Sequence, residues 1–334
     1  MKLSIINHQS SIINQFFTSH YTLNMTALEQ KLLDTIQDAF PLEERPYQVL
    51  ADMFSAQGEA VTEQQVFDAV EGLRTSGIIR RIGGIYDSMR LGFISRLCAG
   101  KVTDIDKFAA AVNAVPAITH NYVRTHEYNV WFTVIAQSED EIRAVVNKLC
   151  AQTDLHDVHV LSVTKKFKID TVMTRGPRSR VAAAPVAPQS RTLDLSDRAR
   201  IRVACTDIPH TLTPYADWGV SVDELRCDIA GGLMRRFGAV LRHQEAGFAY
   251  NAMVCFDAST AAGEGLAKNP HVSHCYERPA FEGFPYTLYV MMHAQSAEEL
   301  DRQIKEAAES IGNPDYVVLR SVRELKKTSF KFFV

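Results

Sequence analysis

Long apolar runs are missing from this 334-residue chain. No stretch approaches the roughly 18 apolar residues that a membrane-spanning helix needs, which excludes a helical membrane protein. An excess of one charge is missing too. Thirty-six Lys and Arg stand against 39 Asp and Glu, a formal net charge of -3. That balance excludes a strongly basic surface built to coat nucleic acid. Cysteine is scarce: Cys98, Cys150, Cys205, Cys227, Cys255 and Cys275, with no pair spaced C-x-x-C. A zinc ribbon or thioredoxin-like motif is thereby excluded, and reduced core thiols in a cytoplasmic protein are expected. There is no G-x-G-x-x-G, P-loop or H-E-x-x-H, so neither a nucleotide cradle nor a zincin site is implied. Residues 1–24 carry one Lys among broken apolar runs and make a poor secretion signal. They read as a disordered extension ahead of a fresh start at Met25.

What is present is a duplication. Arg80-Arg81-Ile82-Gly83-Gly84 recurs as Arg235-Arg236-Phe237-Gly238-Ala239, and Gly92-Phe93 as Gly247-Phe248. Further on, His120-x-Tyr122-x-Arg124 recurs as His274-x-Tyr276-x-Arg278. Between the copies lies RGPRSRVAAAPVAPQSR (175–191), rich in Pro and small residues and free of acids. It reads as an exposed linker. A repeat of this length means two similar units in one chain.

Each unit has two parts, and the fold class is α+β. In the first, Leu28, Leu32, Leu33, Ile36 and Phe40 share one helical stripe that Pro41 ends. Pro46 opens a second helix, and Thr62 with Gln65 caps a third carrying Val66, Val70 and Leu73. Two short strands follow, 78–81 and 84–86, predicting a winged helix-turn-helix whose hairpin is the wing. Then comes strand-helix-strand-strand-helix-strand over 94–163, the ferredoxin-like βαββαβ order. The second copy repeats it over 249–322. The expected domains are a winged-helix module 25–90, a ferredoxin-like module 91–172, a linker 173–193, a second winged helix 194–245 and a second ferredoxin-like module 246–334.

This is the layout of Lrp/AsnC-type regulators, so DNA binding has to be weighed. Residues 25–90 carry eleven acids and six bases, and the would-be recognition helix, TEQQVFDAVEGLR, has three acids and one Arg. Such a helix meets repulsion at phosphates, so no DNA partner is expected.

The most unusual segment is the polar strand. Alternate strand residues share a face, so His120, Tyr122 and Arg124 project together, and His126 continues the row if the strand stays extended. Arg can grip a carboxylate in two hydrogen bonds, and His can move a proton near neutrality or ligate iron. The second copy repeats the row as His274, Tyr276 and Arg278 and has no counterpart to His126. His243, beside Arg242, stands where the first copy has Ser88. Arg80, Arg81, Arg235 and Arg236 lie on the wings, where alternation sends one of each pair to a given face. The basic pair Lys326-Lys327 reads as solvated.

LLDTIQDAFPLEERPY (32–47), GIIRRIGGIYDSMRLGF (77–93) and THNYVRTHEYNVWFT (119–133) resemble the siroheme decarboxylase family, and 233–254 with 271–294 resemble its partner subunit. The chain thus resembles a natural fusion of two subunits. The resemblance implies loss of two acetate carboxyl groups from siroheme, giving 12,18-didecarboxysiroheme for heme d1 or alternative heme synthesis. It implies no organic cofactor, the iron being carried by the tetrapyrrole substrate. It carries the site to His120, His126 and Arg124 and, in the second copy, to His274, Arg278 and His243. By their own chemistry Tyr122 is expected to join catalysis by hydrogen bonding or relay, and Tyr276, Arg242 and the wing arginines Arg80, Arg81, Arg235 and Arg236 to bind substrate unless the wing pairs are simply solvated. No resident metal is implied, although one His could be axial to the substrate iron. The two halves are expected to form an internal pseudo-dimer, with a homodimer of these as an option. Two other classes compete: a ligand-responsive regulator, which would bind DNA, and a heme sensor or carrier, which would bind porphyrin without turnover.

Overall fold

A computed structural model describes residues 25–169, 192–242 and 250–334. The extension 1–24, most of the linker and His243 lie outside the described residues.

Local signals start the helices where the sequence places them. α1 (Ala27–Ile36), α2 (Pro46–Ser55) and α3 (Glu63–Thr75) open on a Thr26/Glu29 capping box, a proline and a Thr62/Gln65 capping box. Leu32, Leu33 and Ile36 of α1 and Val66, Val70 and Leu73 of α3 are buried. The second copy supplies α6 (Leu195–Ala204), a short α7 (Pro214–Trp218) and α8 (Val222–Ala230). Both helix sets share one hydrophobic core, which also takes in Phe332 near the C-terminus.

The expected wing hairpins are not there. Residues Ile79–Tyr86 form one strand, β1, whose ladder runs antiparallel to β7 (Met234–Leu241) of the other copy. The two wings are therefore one inter-copy ribbon. Gly83 faces Gly238 at its centre. A Cβ on Gly238 would fall 2.5 Å from the Ile36 carbonyl oxygen and 2.8 Å from that of Gln37, so the end of α1 packs directly on this backbone. Gly238→Ala is expected to cost about 1–3 kcal/mol, because backbone must shift to admit the methyl. Gly265→Ala on α9 meets no atom closer than 3.7 Å and is expected to be neutral or slightly stabilising, by up to about 1 kcal/mol. Urea unfolding of both variants checks this; equal stabilities would refute the contact.

The ferredoxin-like modules follow the predicted order. The first comprises β2 (Ile94–Lys101), α4 (Ile105–Asn113), β3 (Ile118–Arg124), β4 (Val130–Ala136), α5 (Glu139–Gln152) and β5 (His156–Leu161). An unpredicted β6 (Lys165–Ile169) comes next. The second comprises β8 (Tyr250–Phe256), α9 (Thr260–Lys268), β9 (Val272–Glu277), β10 (Leu288–Ala294), α10 (Ala297–Ser310) and β11 (Tyr316–Lys327). All nine strands join one sheet, in the order β5-β2-β4-β3-β11-β8-β10-β9-β6.

The joins are exchanges. β11 pairs with β8 of its own module over Tyr316–Arg320, then crosses to β3 of the first over Ser321–Lys327. β6 likewise continues the run of β5 but pairs with β9. The sheet's two outermost strands are thus consecutive in the chain, and the sheet curls back on itself. Helices cover its outer surface in two separate cores. The facing inner surfaces close over a third core in which Trp131, Tyr128 and Leu161 meet Phe284, Tyr289 and Met253. Neither half could bury these surfaces alone.

Candidate active site

The row His120–Tyr122–Arg124 lies on the inner face of the curled sheet. Tyr122 stands opposite Trp131 on β4, whose side chain belongs to the inner core, whereas the neighbouring Val130 and Phe132 face the helices. The exchanged strand completes the row. Glu324 on β11 stands opposite Tyr122, and Lys327 stands opposite His120. Three residues apart on a regular strand, 324 and 327 would point to opposite faces. A register shift between Glu324 and Lys326 inserts the extra residue that turns both toward the row. Above them comes β1: Arg80 donates to Ser329 Oγ at 2.8 Å and to the Lys327 carbonyl oxygen at 3.4 Å.

His120, Tyr122, Arg80 and Lys327 are each partly accessible, yet crowding atoms strip most of their hydration. Partial access with strong desolvation is what a recess produces. Burial, then Lys327, Arg80 and His274, push the His120 pKa down to about 3. His120 is therefore a neutral imidazole at neutral pH, not the imidazolium donor its unperturbed pKa suggests. Its Nδ1 lies 2.9 Å from Thr119 Oγ1, which leaves Nε2 for a ligand. Burial also lowers Arg80 to about 10, helped by Arg81 and Arg242. Lys327 falls to about 8 through burial, with Glu324 opposing and Arg80 assisting. Tyr122 is raised by burial and by Glu324, with which its hydroxyl shares a hydrogen bond. The recess thus holds Arg80 and Lys327 about the side chain of Glu324, with the exposed Arg242 acting on Arg80 from outside. Cations that depress one another are relieved by an anionic ligand.

Other expected members go elsewhere. Arg124 is buried at 4% exposure. It donates to the Leu319 carbonyl oxygen at 2.9 Å and to Ser321 Oγ at 3.1 Å, with its guanidinium 5.0 Å from the Tyr122 ring centre. It backs Tyr122 rather than opening to a substrate. Arg278 repeats this, donating to the Leu161 carbonyl oxygen at 2.9 Å and lying over Tyr276. His126 does not continue the row. The strand ends at Arg124, the His126 amide closes a tight turn onto the Arg124 carbonyl oxygen, and the imidazole stacks on Tyr128 and meets Phe284 edge-on. Burial lowers its pKa as well.

Alternation holds for one pair of wing arginines only: Arg235 and Arg236 part, whereas Arg80 and Arg81 both reach Ser329 Oγ, next to a register shift between Ile79 and Arg81. Arg81 reaches Ser329 Oγ and the Gly84 carbonyl oxygen. Arg236 donates to the carbonyl oxygens of Gln37 and Ala239 in the helical layer. Arg235 pairs with Asp87 at 3.3 Å, near Tyr276. Two cavities, of about 560 and 340 Å³, lie away from the row, one by Asp106 and Arg323 and the other between Glu43 and Arg226.

Sequence reading missed Glu324 and Lys327. A signal existed: the matching positions of the first copy, by strand register, are Lys166 and Ile169, so the copies differ where they should agree. The helical layer also speaks against a DNA partner. The one Arg of α3, Arg74, turns inward to Asp207 of the second copy at 3.0 Å, and the exposed positions of α3 carry Gln64, Gln65 and Asp68.

Comparison with known proteins bears on this arrangement. A siroheme decarboxylase from Hydrogenobacter thermophilus is 32% identical over 319 residues, spanning 91% of this chain and 94% of its own. The chain belongs to the siroheme decarboxylase family. The model of the siroheme decarboxylase NirDL-like HTH domain matches residues 29–80, and that of the AsnC-like ligand binding domain matches twice, at 90–168 and 245–326. A siroheme decarboxylase alpha subunit from Desulfovibrio desulfuricans is 44% identical over 148 residues, which are 44% of this chain and 82% of the subunit. The crystal structure of the siroheme decarboxylase NirDL with an iron-uroporphyrin III analogue superposes with a TM-score of 0.64 at 27% identity, covering 92% of this chain and 95% of that one. Helix-turn-helix and AsnC-like units occur together in this chain, and its two halves form an internal pseudo-dimer. Among the described residues no helix is long and apolar enough to cross a membrane.

Proposed function

We propose that this chain decarboxylates siroheme to 12,18-didecarboxysiroheme in the recess where β3, β11 and β1 meet. The observation that carries the reading is the meeting of Arg80 of the first half with Glu324 and Lys327 of the second around a neutral imidazole. A tetrapyrrole with up to eight carboxylates needs fixed cations at its rim, which Arg80, Arg242 and Lys327 offer. Loss of CO2 from a pyrrole acetate leaves an electron pair that the macrocycle can delocalise, so no organic cofactor of the protein's own is required. The partly dry recess disfavours the ionised acid relative to the spread charge that follows. His120 Nε2 is positioned to hydrogen-bond an acetate or to ligate the substrate's iron. The product would enter heme d1 or alternative heme synthesis in the cytoplasm.

Anaerobic incubation with siroheme, followed by mass spectrometry, is expected to show loss of two carboxyl groups as CO2. A folded protein that returns siroheme unchanged would end this reading. A stable stoichiometric porphyrin complex without product would instead indicate a sensor or carrier.

A further inference from the structure

The two rows are pseudo-equivalent in backbone but not in charge. Beside His120 stand Arg80 and, across the strand, Glu324 and Lys327. Beside His274 the wing position is Arg235, tied to Asp87, the residue that matches Arg242 in the repeat. The exchanged strand there is β6. Lys166, which is exposed, stands opposite Tyr276, and Ile169 stands opposite His274. At these register positions the second row therefore has a lysine where the first has the acid, and an isoleucine where β11 brings the ammonium opposite the histidine.

His120 is neutral, and the Tyr122 hydroxyl is bound to Glu324 and held far from ionisation. Arg80 keeps its proton too tightly to serve as an acid near neutrality. One group in the recess is a cationic acid that can release a proton near working pH, and β11 places it opposite His120. We propose that the Lys327 ammonium, supplied by the second half, delivers the proton that replaces the lost carboxyl group, and that the His120 row is the productive one of the two. This rests on the decarboxylase reading above. The acetate C–C bond breaks with its electron pair kept on the methylene carbon, and CO2 departs. That pair takes a proton from Nζ to form the methyl group, and the resulting neutral amine is reprotonated from solvent. Glu324 holds the ammonium side of the recess in place and balances part of its charge. The ammonium's lowered pKa, about 8, brings it within the range where a general acid works best.

The test is steady-state decarboxylation of siroheme by the full chain and by Lys327→Met, Lys327→Arg and Lys166→Met. Binding is followed separately by Soret titration with iron-uroporphyrin. In the parent, kcat/KM is expected to fall as pH rises through about 8, since the donor must be protonated. Lys327→Met should lose about 10²–10⁴-fold in kcat. Lys327→Arg keeps the charge but not a releasable proton; it should restore iron-uroporphyrin affinity while kcat stays low and the alkaline limb disappears. Lys166→Met should match the parent. Parental kcat in Lys327→Arg with the limb unchanged would overturn the donor role, leaving Lys327 as a charge alone. A Lys166→Met loss equal to that of Lys327→Met would overturn the asymmetry. If the parent itself releases no CO2, the decarboxylase reading fails first, which separates the two failures.

Discussion

Arg200→Met is expected to lower stability by about 3–5 kcal/mol, as removal of one partner from a buried ion network does. Arg200 is 8% exposed and lies 3.0 Å from Asp197 and 2.8 Å from Asp228, both themselves buried. Tyr86 of the first half donates to Asp228 at 2.8 Å, so the network also ties β1 to the second copy. Burial works to lower the Arg200 pKa, but the hydrogen bonds that it donates to Asp228 and Asp197 outweigh this and raise it. Without the guanidinium, two carboxylates are left in a poorly hydrated site. Urea unfolding of the full chain measures the loss. Adding Asp197→Asn and Asp228→Asn should recover part of it, because neighbouring sites do not add. A loss under about 1 kcal/mol in the single variant would show that water reaches the carboxylates.

His120→Ala is expected to reduce kcat for siroheme by about 10²–10³-fold, the usual cost of deleting one preorganised polar group at a reacting centre. The side chain is partly open and its bonded neighbour is a Thr119 hydroxyl, so the melting temperature should move little. His126→Ala differs in kind. Its ring packs on Tyr128 and Phe284, so it should loosen the inner core and affect turnover less than His120→Ala does. Single-turnover rates, with melting curves for each protein, check both. Equal kinetic losses in the two variants would mean that the bound state brings His126 to the substrate.

Much of this protein is written in local sequence. The repeat, the capping boxes at Thr26 and Thr62, and the two βαββαβ patterns were all legible, because helix and strand periods are set by neighbours along the chain. So was the shared face of His120, Tyr122 and Arg124. Which strand pairs with which was not legible. RRIGG reads as a hairpin by turn chemistry, but β1 finds β7 about 155 residues away because that ribbon seals one core between the two helix sets. The basic pair Lys326-Lys327 reads as solvated, yet β11 carries it across to β3, and the bulge aims Glu324 and Lys327 inward. His126 left the row because the chain turns at Thr125 to let Tyr128 and Trp131 into the inner core. Local residue patterns set the elements and the chemistry each one carries. Which of those chemistries meet depends on the assembled fold, because burial of surfaces far apart in the chain, not local preference, selects the partners.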